Sequence, residues 1–292
     1  MKLNKLILSI LLFDLLLACS NPSLEEKIRD KFENTDGVFA LAFKNLESGK
    51  EILINERENF HAASTMKTPV MIEVFKQVHN GKFNLYDSII VKNEFKSIVD
   101  GSVFRLSDLE DSDQELYQYL GKKRSIYSLV NDMITVSSNF ATNLIIDFIG
   151  VKNVNQTMRK VGAMDINVLR GVEDIKAFEK DLNNSTTAYD LMIIYEKLAN
   201  GDIIDRKVSD KMIEILKNQE YQDIIPFYLP KNVEVAHKTG MITGVHHDSG
   251  IVFLPDGRKY VIILLSKELT DFGAGTLLLA EISKLIYNDL MK

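Results

Sequence analysis

Residues 64–75 have the sequence STMKTPVMIEVF and begin the long helical part of the chain. Apolar side chains recur at helical spacing in this stretch and, with short interruptions, as far as about residue 225. Before and after this part, the apolar residues instead form short strand-like runs. The stretch at 64–75 therefore marks the change from a region of strands to a region of helices.

Five strand-like runs flank the helical region: Val38 to Leu46, Glu51 to Asn55, Val233 to Thr239, Ser249 to Leu254 and Tyr260 to Ser266. The sequences ESGK at 47–50 and PDGR at 255–258 join neighbouring runs, and their glycines suit tight turns. Strands at both ends around a helical middle predict an α+β fold with an antiparallel sheet built from both chain ends. We expect an all-helical lobe to be inserted between these strands.

Two amphipathic helices are expected to flank the sheet. The sequence SLEE at 23–26 has the form of a capping box and predicts a short helix towards Phe32, and a last helix is predicted from Gly273 to Met291. We expect one domain over 19–292, with an α/β lobe at 24–62 and 228–292 and a helical lobe at 63–227. A cleft between the lobes is the expected place for a small ligand.

The composition is that of an ordinary globular protein. With 292 residues, 46% of them apolar, the chain can bury a full core without a disulfide or a metal. The net charge of -6 and the lack of a long basic run argue against nucleic acid as a partner. No His-x-x-x-His or Cys/His spacing indicates a metal, and we expect no cofactor. We also expect a monomer.

The N-terminus has the pattern of a secretory signal. Lys2 and Lys5 precede an almost unbroken apolar stretch from Leu6 to Leu17, which is shorter than a membrane-spanning helix needs. Cys19, the only cysteine, follows Ala18, and the pattern resembles a bacterial lipobox. We expect a signal peptide at 1–18 and an exported lipoprotein that is anchored through acylated Cys19 and faces the periplasm or the cell exterior. The alternative is a soluble secreted protein with an incidental cysteine.

Ser64 and Lys67 form the only Ser-x-x-Lys sequence in the chain. Their spacing places the hydroxyl and the amine on one face of a helix. A serine hydroxyl becomes a good nucleophile when a neighbouring base takes its proton, and a lysine desolvated in a cleft can serve as that base. About one such motif is expected by chance in a chain of this length, so an N-capping serine and a solvated lysine remain the alternative.

Two further short motifs occur later in the chain. Ser137-Ser138-Asn139 falls between two helical runs, where it presents a hydroxyl and an amide or simply caps a helix. Lys238-Thr239-Gly240 ends a strand-like run, where glycine allows a ligand to approach the strand edge closely. Taken alone, the second motif would be the end of an edge strand followed by a turn.

The ordered set of Ser-x-x-Lys, Ser-x-Asn and Lys-Thr-Gly resembles the signature of class A β-lactamases and penicillin-binding proteins. This resemblance covers nearly the whole mature chain, from the first hairpin to the last helix. It implies that Ser64 attacks an acyl carbonyl, that Lys67 takes part in proton transfer and that Ser137 passes a proton to the leaving nitrogen.

The resemblance also implies a set of groups that bind substrate. Asn139 would orient the substrate amide, and Lys238 and Thr239 would bind the substrate carboxylate. The backbone N–H groups of Ser64 and Met241 would form the oxyanion hole.

The sequence departs from the class A pattern at the group that activates water for deacylation. These enzymes carry a glutamate followed four residues later by asparagine, whereas here Ala177 stands four residues after Glu173. Counting back from the pair at 186–187 places Val172 at the position of the base, with Glu173 one residue beyond. Glu173 is the candidate base or else a loop-bracing carboxylate, and Asp174 is the second choice.

Two smaller departures concern the middle of the serine turn and the strand after Lys238. Ser138 occupies the position that class A enzymes fill with aspartate, which alters the local support of the turn. His246 and His247 lie where many relatives place an arginine for the substrate carboxylate, and a protonated histidine could replace it. The alternative that we favour is a histidine paired with Asp248 that braces the strand.

Three functions follow as hypotheses. The first is a class A β-lactamase-like hydrolase that opens the β-lactam ring and releases the product with water. The second keeps the acyl-enzyme but deacylates slowly, as a D-Ala-D-Ala peptidase that acts on cell-wall peptide or as an esterase. The third is a non-catalytic lipoprotein that binds cell-wall fragments.

Overall fold

The computed structural model describes residues 22–292, so the predicted signal peptide and Cys19 lie outside the described residues. Its strands are β1 (Val38–Asn45), β2 (Glu51–Ile54), β3 (Phe60–His61), β4 (Ser88–Ile90), β5 (Phe95–Lys96), β6 (Val103–Phe104), β7 (Lys123–Ser125), β8 (Ser185–Thr186), β9 (Glu234–Ile242), β10 (Val245–Phe253) and β11 (Lys259–Lys267). Its α-helices are α1 (Leu24–Glu33), α2 (Lys67–His79), α3 (Ile126–Thr135), α4 (Asn139–Ile149), α5 (Val151–Val161), α6 (Ile175–Phe178), α7 (Ala188–Asn200), α8 (Arg206–Lys217) and α9 (Phe272–Leu290).

The central sheet has five antiparallel strands in the order β2-β1-β11-β10-β9. Val38 lies opposite Lys267, so the first long strand pairs with the last one. Sheet formation therefore requires both ends of the chain, and the helices from α2 to α8 come from the segment between them. The α+β fold predicted from the sequence is confirmed.

Alternation along the strands divides the core between the two faces of the sheet. On β1, Ala40 and Ala42 pack with the helical segment, whereas Phe39, Leu41 and Phe43 pack with residues of α1 and α9 on the other face. Successive side chains of a strand point to opposite faces, so each buried side chain of this strand packs into one of the two hydrophobic clusters. Burial on both faces fixes the strand register.

The flanking helices begin as the sequence predicts. Ser23 Oγ accepts a hydrogen bond from Glu26 N at 3.2 Å, and Glu26 Oε2 accepts one from Ser23 N at 2.6 Å, which completes the capping box of α1. Asp271 caps α9 through Ala274 N at 2.9 Å. Between residues 22 and 292 no helix has the length and apolar character needed to cross a membrane.

The hairpin of β9 and β10 is longer than its apolar pattern predicts. β9 continues past Thr239 to Ile242, and β10 begins at Val245 rather than at Ser249, with Gly244 at φ +70° in the turn between them. The predicted second strand of this hairpin began too late because residues 246–248 are two histidines and an aspartate, which are not typical of a buried strand. Each of them has a hydrogen-bond partner in the interior, which offsets the cost of burial.

Candidate active site

Ser64 lies in a 3₁₀ turn, Ala63–Met66, directly before α2. Ala63 is in the left-handed region at φ +43°, and neither this turn nor α2 has a side-chain cap, so Ser64 is not a capping serine. The turn packs on β9 at Gly240, where an added Cβ would lie 3.0 Å from Ser64 N. Glycine therefore permits the close approach of the strand to the serine.

Lys67 is completely buried. Its Nζ donates to Ser137 O at 2.7 Å, to Asn139 Oδ1 at 2.9 Å and to Ser137 Oγ at 3.1 Å. Burial lowers the pKa of Lys67 to about 7, although the charges of Asp111 and Glu173 act in the opposite direction. A substantial fraction of this amine is therefore neutral near neutral pH and able to accept a proton.

The turn at 137–139 separates α3 from α4, as the sequence predicts. Ser138 is the buried N-cap of α4, and its Oγ accepts from Ala141 N at 3.1 Å. Ser137 adopts φ +60°, which aims its carbonyl and hydroxyl away from the helix and towards the lysines. Because Ser138 caps the helix, the hydroxyl of the adjacent Ser137 is free for chemistry.

Lys238 reaches the same hydroxyl from the sheet. Its Nζ donates to Ser137 Oγ at 3.1 Å and to Thr239 O at 3.1 Å, and its side chain is fully buried. Burial lowers the pKa of Lys238 well below its usual value, and the nearby charge of Lys67 lowers it further. Ser137 Oγ thus lies between two lysines that come from different lobes.

Glu173 is the loop carboxylate that faces this group. Its Oε1 accepts from Asn139 Nδ2 at 2.7 Å, and its backbone is left-handed at φ +61°. Burial raises the pKa of Glu173, and the hydrogen bond from Asn139 opposes this shift. Glu173, one residue beyond the position reached by counting back from 186–187, is therefore the carboxylate that contacts Asn139.

The neighbours of Glu173 hold the loop. Val172 N donates to Asn143 Oδ1 at 2.7 Å, and Asn143 Nδ2 donates to Val172 O at 2.9 Å. Asp174 caps α6 by accepting from Ala177 N at 3.2 Å, and its second oxygen accepts from Ile98 N at 2.9 Å. Both carboxylate oxygens of Asp174 are thus engaged by backbone, so the second choice of base is a structural cap.

Two adjoining cavities form a cleft around Ser64, and Asn139 and Met241 line both of them. The larger cavity, about 310 Å³, has an apolar wall that includes Val172, Ile175 and Phe178. The other cavity, about 270 Å³, is lined mostly by residues with polar side chains, which include Ser137, Thr239, Tyr221, Asp223 and His246. Thr239, Gly240 and Met241 lie on β9, the edge strand of the sheet, which leaves backbone groups available to a ligand.

The histidines of β10 have different environments. His247 Nε2 donates to His61 O at 2.9 Å while its Nδ1 accepts from Ser266 N at 3.1 Å, and burial lowers the pKa of His247 to about 4. It is therefore a neutral brace. Asp248 instead pairs with His237 on β9 at 2.9 Å. His246 is the histidine that lines the smaller cavity, where its Nε2 lies 3.5 Å from Asp223.

Asp111 is a buried residue near the site, and it belongs to no recognisable sequence motif. Its carboxylate accepts hydrogen bonds from the backbone N–H groups of Asn139 and Phe140. The segment DLEDSDQE at 108–115 carries five acids in eight residues and is typical of a solvated loop, so this contact could not be predicted from the sequence. Across residues 22–292, no group of three His, Cys, Asp or Glu side chains is arranged to hold a metal ion.

Comparison with known proteins agrees with this geometry. The β-lactamase enzyme family matches residues 23–290. The β-lactamase BRO-1 of Moraxella catarrhalis is 27% identical over 290 residues, which cover 92% of this chain and 86% of the relative. The β-lactamase VEB-1 of Pseudomonas aeruginosa is 22% identical over 283 residues, covering 91% and 90% of the two chains.

Two solved structures illustrate the likeness in three dimensions. PBP-A has a TM-score of 0.80 and 27% identity, with 92% of this chain and 96% of that chain covered. The TLA-1 extended-spectrum β-lactamase has a TM-score of 0.80 at 19% identity, covering 92% and 98%, and so shows the shared fold alone. The family match spans nearly all the described residues, and the chain belongs to the β-lactamase enzyme family.

Proposed function

We propose that this protein is a class A serine β-lactamase that opens the β-lactam ring through an acyl-enzyme on Ser64. One observation carries the proposal: a fully buried Lys67 follows Ser64 by one helical turn, and its amine, with a pKa of about 7, contacts Ser137 and Asn139. Such a group can take a proton from a serine near neutral pH without a metal or a cofactor.

Acylation begins with neutral Lys67, which accepts the proton of Ser64 Oγ while the oxygen attacks the lactam carbonyl carbon. The carbonyl oxygen becomes an oxyanion that the N–H groups of Ser64 and Met241 stabilise. When the C–N bond breaks, Ser137 donates its proton to the leaving nitrogen. Lys67 Nζ, 3.1 Å from Ser137 Oγ, then returns a proton to Ser137.

Deacylation uses Glu173 as the general base. Its carboxylate takes a proton from water, and the resulting nucleophile attacks the ester carbonyl of the acyl-enzyme. The bond between the carbonyl carbon and Ser64 Oγ breaks, and the serine oxygen regains the proton that Glu173 took from water. This step restores the Glu173 carboxylate and leaves Lys67 neutral for the next turnover. The hydrogen bond from Asn139 to Glu173 couples the deacylating group to the acylating one.

Substrate recognition is assigned to the strand edge and the turn. Lys238 and Thr239 bind the substrate carboxylate, and Asn139 orients the substrate amide. Gly240 allows the substrate to approach β9, and the apolar wall around Phe178 receives the acyl side chain. The substrate class is thus a cyclic amide that bears a carboxylate.

Turnover of the chromogenic cephalosporin nitrocefin tests this function. The purified wild-type protein is expected to hydrolyse many equivalents, and Ser64→Ala is expected to hydrolyse none above the uncatalysed rate. Circular dichroism shows whether each protein is folded. A folded wild-type protein that leaves nitrocefin intact would contradict the proposal.

A second candidate keeps the acyl-enzyme but releases it slowly, as in a D-Ala-D-Ala peptidase or an esterase. It is supported by Ala177, which replaces the asparagine expected after the base, and by the likeness to PBP-A. The lifetime of the adduct with penicillin G separates the two candidates. An adduct that persists for hours on the wild type favours the slow enzyme, whereas a return to the free mass within minutes favours the β-lactamase.

We further propose that the protein is exported, anchored through acylated Cys19 and active as a monomer that protects the cell from β-lactams. The signal pattern before Cys19 supports the anchor. Phase partition of cell extracts into detergent tests it: the wild type is expected in the detergent phase and Cys19→Ala in the aqueous phase. Equal partition of the two proteins would contradict the anchor.

A further inference from the structure

Asp111 lies in the loop between β6 and the 3₁₀ turn Glu115–Tyr119, and it is only 5% exposed. Its Oδ2 accepts from Phe140 N at 2.7 Å and from the Tyr117 hydroxyl at 3.2 Å. Its Oδ1 accepts from Asn139 N at 3.2 Å and from Asp113 N at 3.0 Å. A carboxylate held by four donors has a fixed position.

Two of these donors belong to the first turn of α4, where backbone N–H groups lack partners within the helix. Ser138 satisfies Ala141 N from inside the turn, and Asp111 satisfies the N–H groups of Asn139 and Phe140 from outside it. The turn at 137–139 is thereby fixed from two sides. The negative charge also lies at the positive end of the helix dipole, which favours this arrangement.

The side chains fixed by this turn are those that surround the amine of Lys67. Ser137 supplies a carbonyl and a hydroxyl, and Asn139 supplies its amide oxygen, all within 3.1 Å of Lys67 Nζ. Asn139 also donates to Glu173. A displacement of the turn therefore moves both the acylating and the deacylating groups.

Asp111 also acts on Lys67 through charge. Among the charges that face the buried amine, Asp111 and Glu173 raise its pKa, while Lys238 lies on the other side of Ser137. Of the two acids, Asp111 has the larger effect. Burial still dominates, and the pKa of Lys67 settles at about 7.

We propose that Asp111 is a positioning residue for acylation, which holds the Ser137–Asn139 turn against Lys67 and supplies a fixed negative charge beside it. This inference rests on the proposed function, in which the neutral amine of Lys67 is the base. It assigns an active role to the acidic loop at 108–115, which the sequence alone presents as solvated.

The test compares Asp111→Asn and Asp111→Glu with the wild type in nitrocefin hydrolysis over a range of pH. In Asp111→Asn the turn loses bonds and Lys67 loses a neighbouring anion. We expect kcat/KM to fall about tenfold or more, and the acid limb of its pH profile to move to lower pH because the pKa of Lys67 falls. Asp111→Glu keeps the charge, so its acid limb should stay at the wild-type position while kcat/KM recovers only in part.

Asp190→Asn is the matched control. Asp190 is 1% exposed, and its Oδ2 accepts from Asp165 N and Ile166 N at 2.6 Å each, so it resembles Asp111 as a buried brace but does not line the cleft. We expect a lower melting temperature with an unchanged pH profile. If Asp111→Asn behaves in the same way, Asp111 is merely structural and the proposal is overturned.

Two outcomes remain. If Asp111→Asn does not fold, Asp111→Glu decides, because a displaced carboxylate should lower kcat/KM with an unmoved acid limb, and a wild-type kcat/KM overturns the proposal. If the wild-type protein itself does not hydrolyse nitrocefin, the proposed function fails and this inference fails with it.

Discussion

At the scale of single residues, the site depends on backbone conformations that ordinary side chains rarely adopt. Ala63, Ser137 and Glu173 all have positive φ angles, and they precede or include the groups proposed to act on substrate. Such conformations are unfavourable and persist where surrounding contacts hold them. For Glu173 the hydrogen bond from Asn139 supplies such a contact.

Replacement of Glu173 tests its role as the deacylating base. Glu173→Gln cannot take a proton from water, so we expect the acyl-enzyme with penicillin G to persist and steady-state turnover to fall by 100-fold or more, roughly the contribution of a general base. Intact mass spectrometry follows the adduct. Glu179→Gln, an exposed glutamate that follows α6, is the control and should deacylate normally. Rapid deacylation by Glu173→Gln would remove Glu173 from the mechanism.

The lowered pKa of Lys67 predicts a pH dependence. Burial favours the neutral amine, so the fraction able to accept a proton is high above the pKa of about 7 and falls as the pH drops through it. We expect kcat/KM to show an acid limb near this value, with about a tenfold loss for each pH unit further below it. Stopped-flow acylation rates would check this. A rate that stays constant well below pH 7 would show that Lys67 is not the base.

The convergence of the candidate site residues could be predicted because three short motifs occur in a fixed order. The three motifs are far apart in the sequence, yet Lys67 and Lys238 both donate to the hydroxyl of Ser137. Asp111 could not be predicted in this way, since its partners are backbone N–H groups that any residue type supplies. The position of Glu173 also could not be fixed by counting, because Val172 and Glu173 both line the cleft and only the tertiary contact with Asn139 distinguishes them.

At the scale of elements, the approach of β9 to the 3₁₀ turn positions Ser64, the proposed nucleophile. An added Cβ at Gly240 would lie 3.0 Å from Ser64 N and 3.1 Å from Thr65 N, closer than ordinary contact. The obstacle is backbone, which cannot rotate away as a flexible side chain can. The strand and the turn would have to separate.

Gly240→Ala is therefore expected to reduce acylation. A shift of Ser64 N disturbs the proposed oxyanion hole, so kcat/KM for nitrocefin should fall about tenfold or more. Gly273→Ala is the control, because its Cβ would meet only Asp271 Oδ1, at 3.5 Å, and α9 gains helix propensity. Wild-type activity in Gly240→Ala would show that the turn tolerates displacement.

The elements themselves were predicted with unequal success. Apolar strands such as β11 were found to within a residue at each end, since buried positions follow one another. The start of β10 was missed because its polar residues are satisfied by partners from other elements, among them His61 and Thr276. Such partners are tertiary contacts, and local sequence does not display them.

At the scale of the whole molecule, a buried polar pair connects the sheet to the segment before β9. His237 and Asp248 are fully buried and 2.9 Å apart, and Asp248 Oδ2 also accepts from Ile225 N at 3.0 Å. Removal of the carboxylate would leave His237 Nδ1 and the backbone N–H of Ile225 without this buried acceptor. Buried groups left unpaired are strongly destabilising.

Asp248→Ala should therefore lower the free energy of unfolding by about 3 kcal/mol, as measured by urea denaturation. Glu25→Gln removes a carboxylate from the exposed pair with Arg29 and should change stability by less than about 1 kcal/mol. If both variants lost the same free energy of unfolding, the buried His237–Asp248 pair would contribute no more to stability than the exposed pair.

The whole fold was accessible from sequence because strands at both ends must meet to bury their apolar faces. The packing of helices against the sheet then creates the cleft, and the three motifs lie on elements that border it. The sequence could not predict the braces Asp111 and Asn143, which hold the serine turn and the Glu173 loop. It predicted that a histidine pairs with Asp248, but not that this histidine is His237.

An acyl-enzyme on Ser64 can be detected directly by rapid-quench mass spectrometry with penicillin G. The wild-type protein is expected to gain one penicillin mass within the first turnover, to carry it on the peptide that contains Ser64, and then to return to its free mass. Folded Ser64→Ala should stay unmodified throughout. An adduct on Ser64→Ala, or turnover by that variant, would show that Ser64 is not the nucleophile.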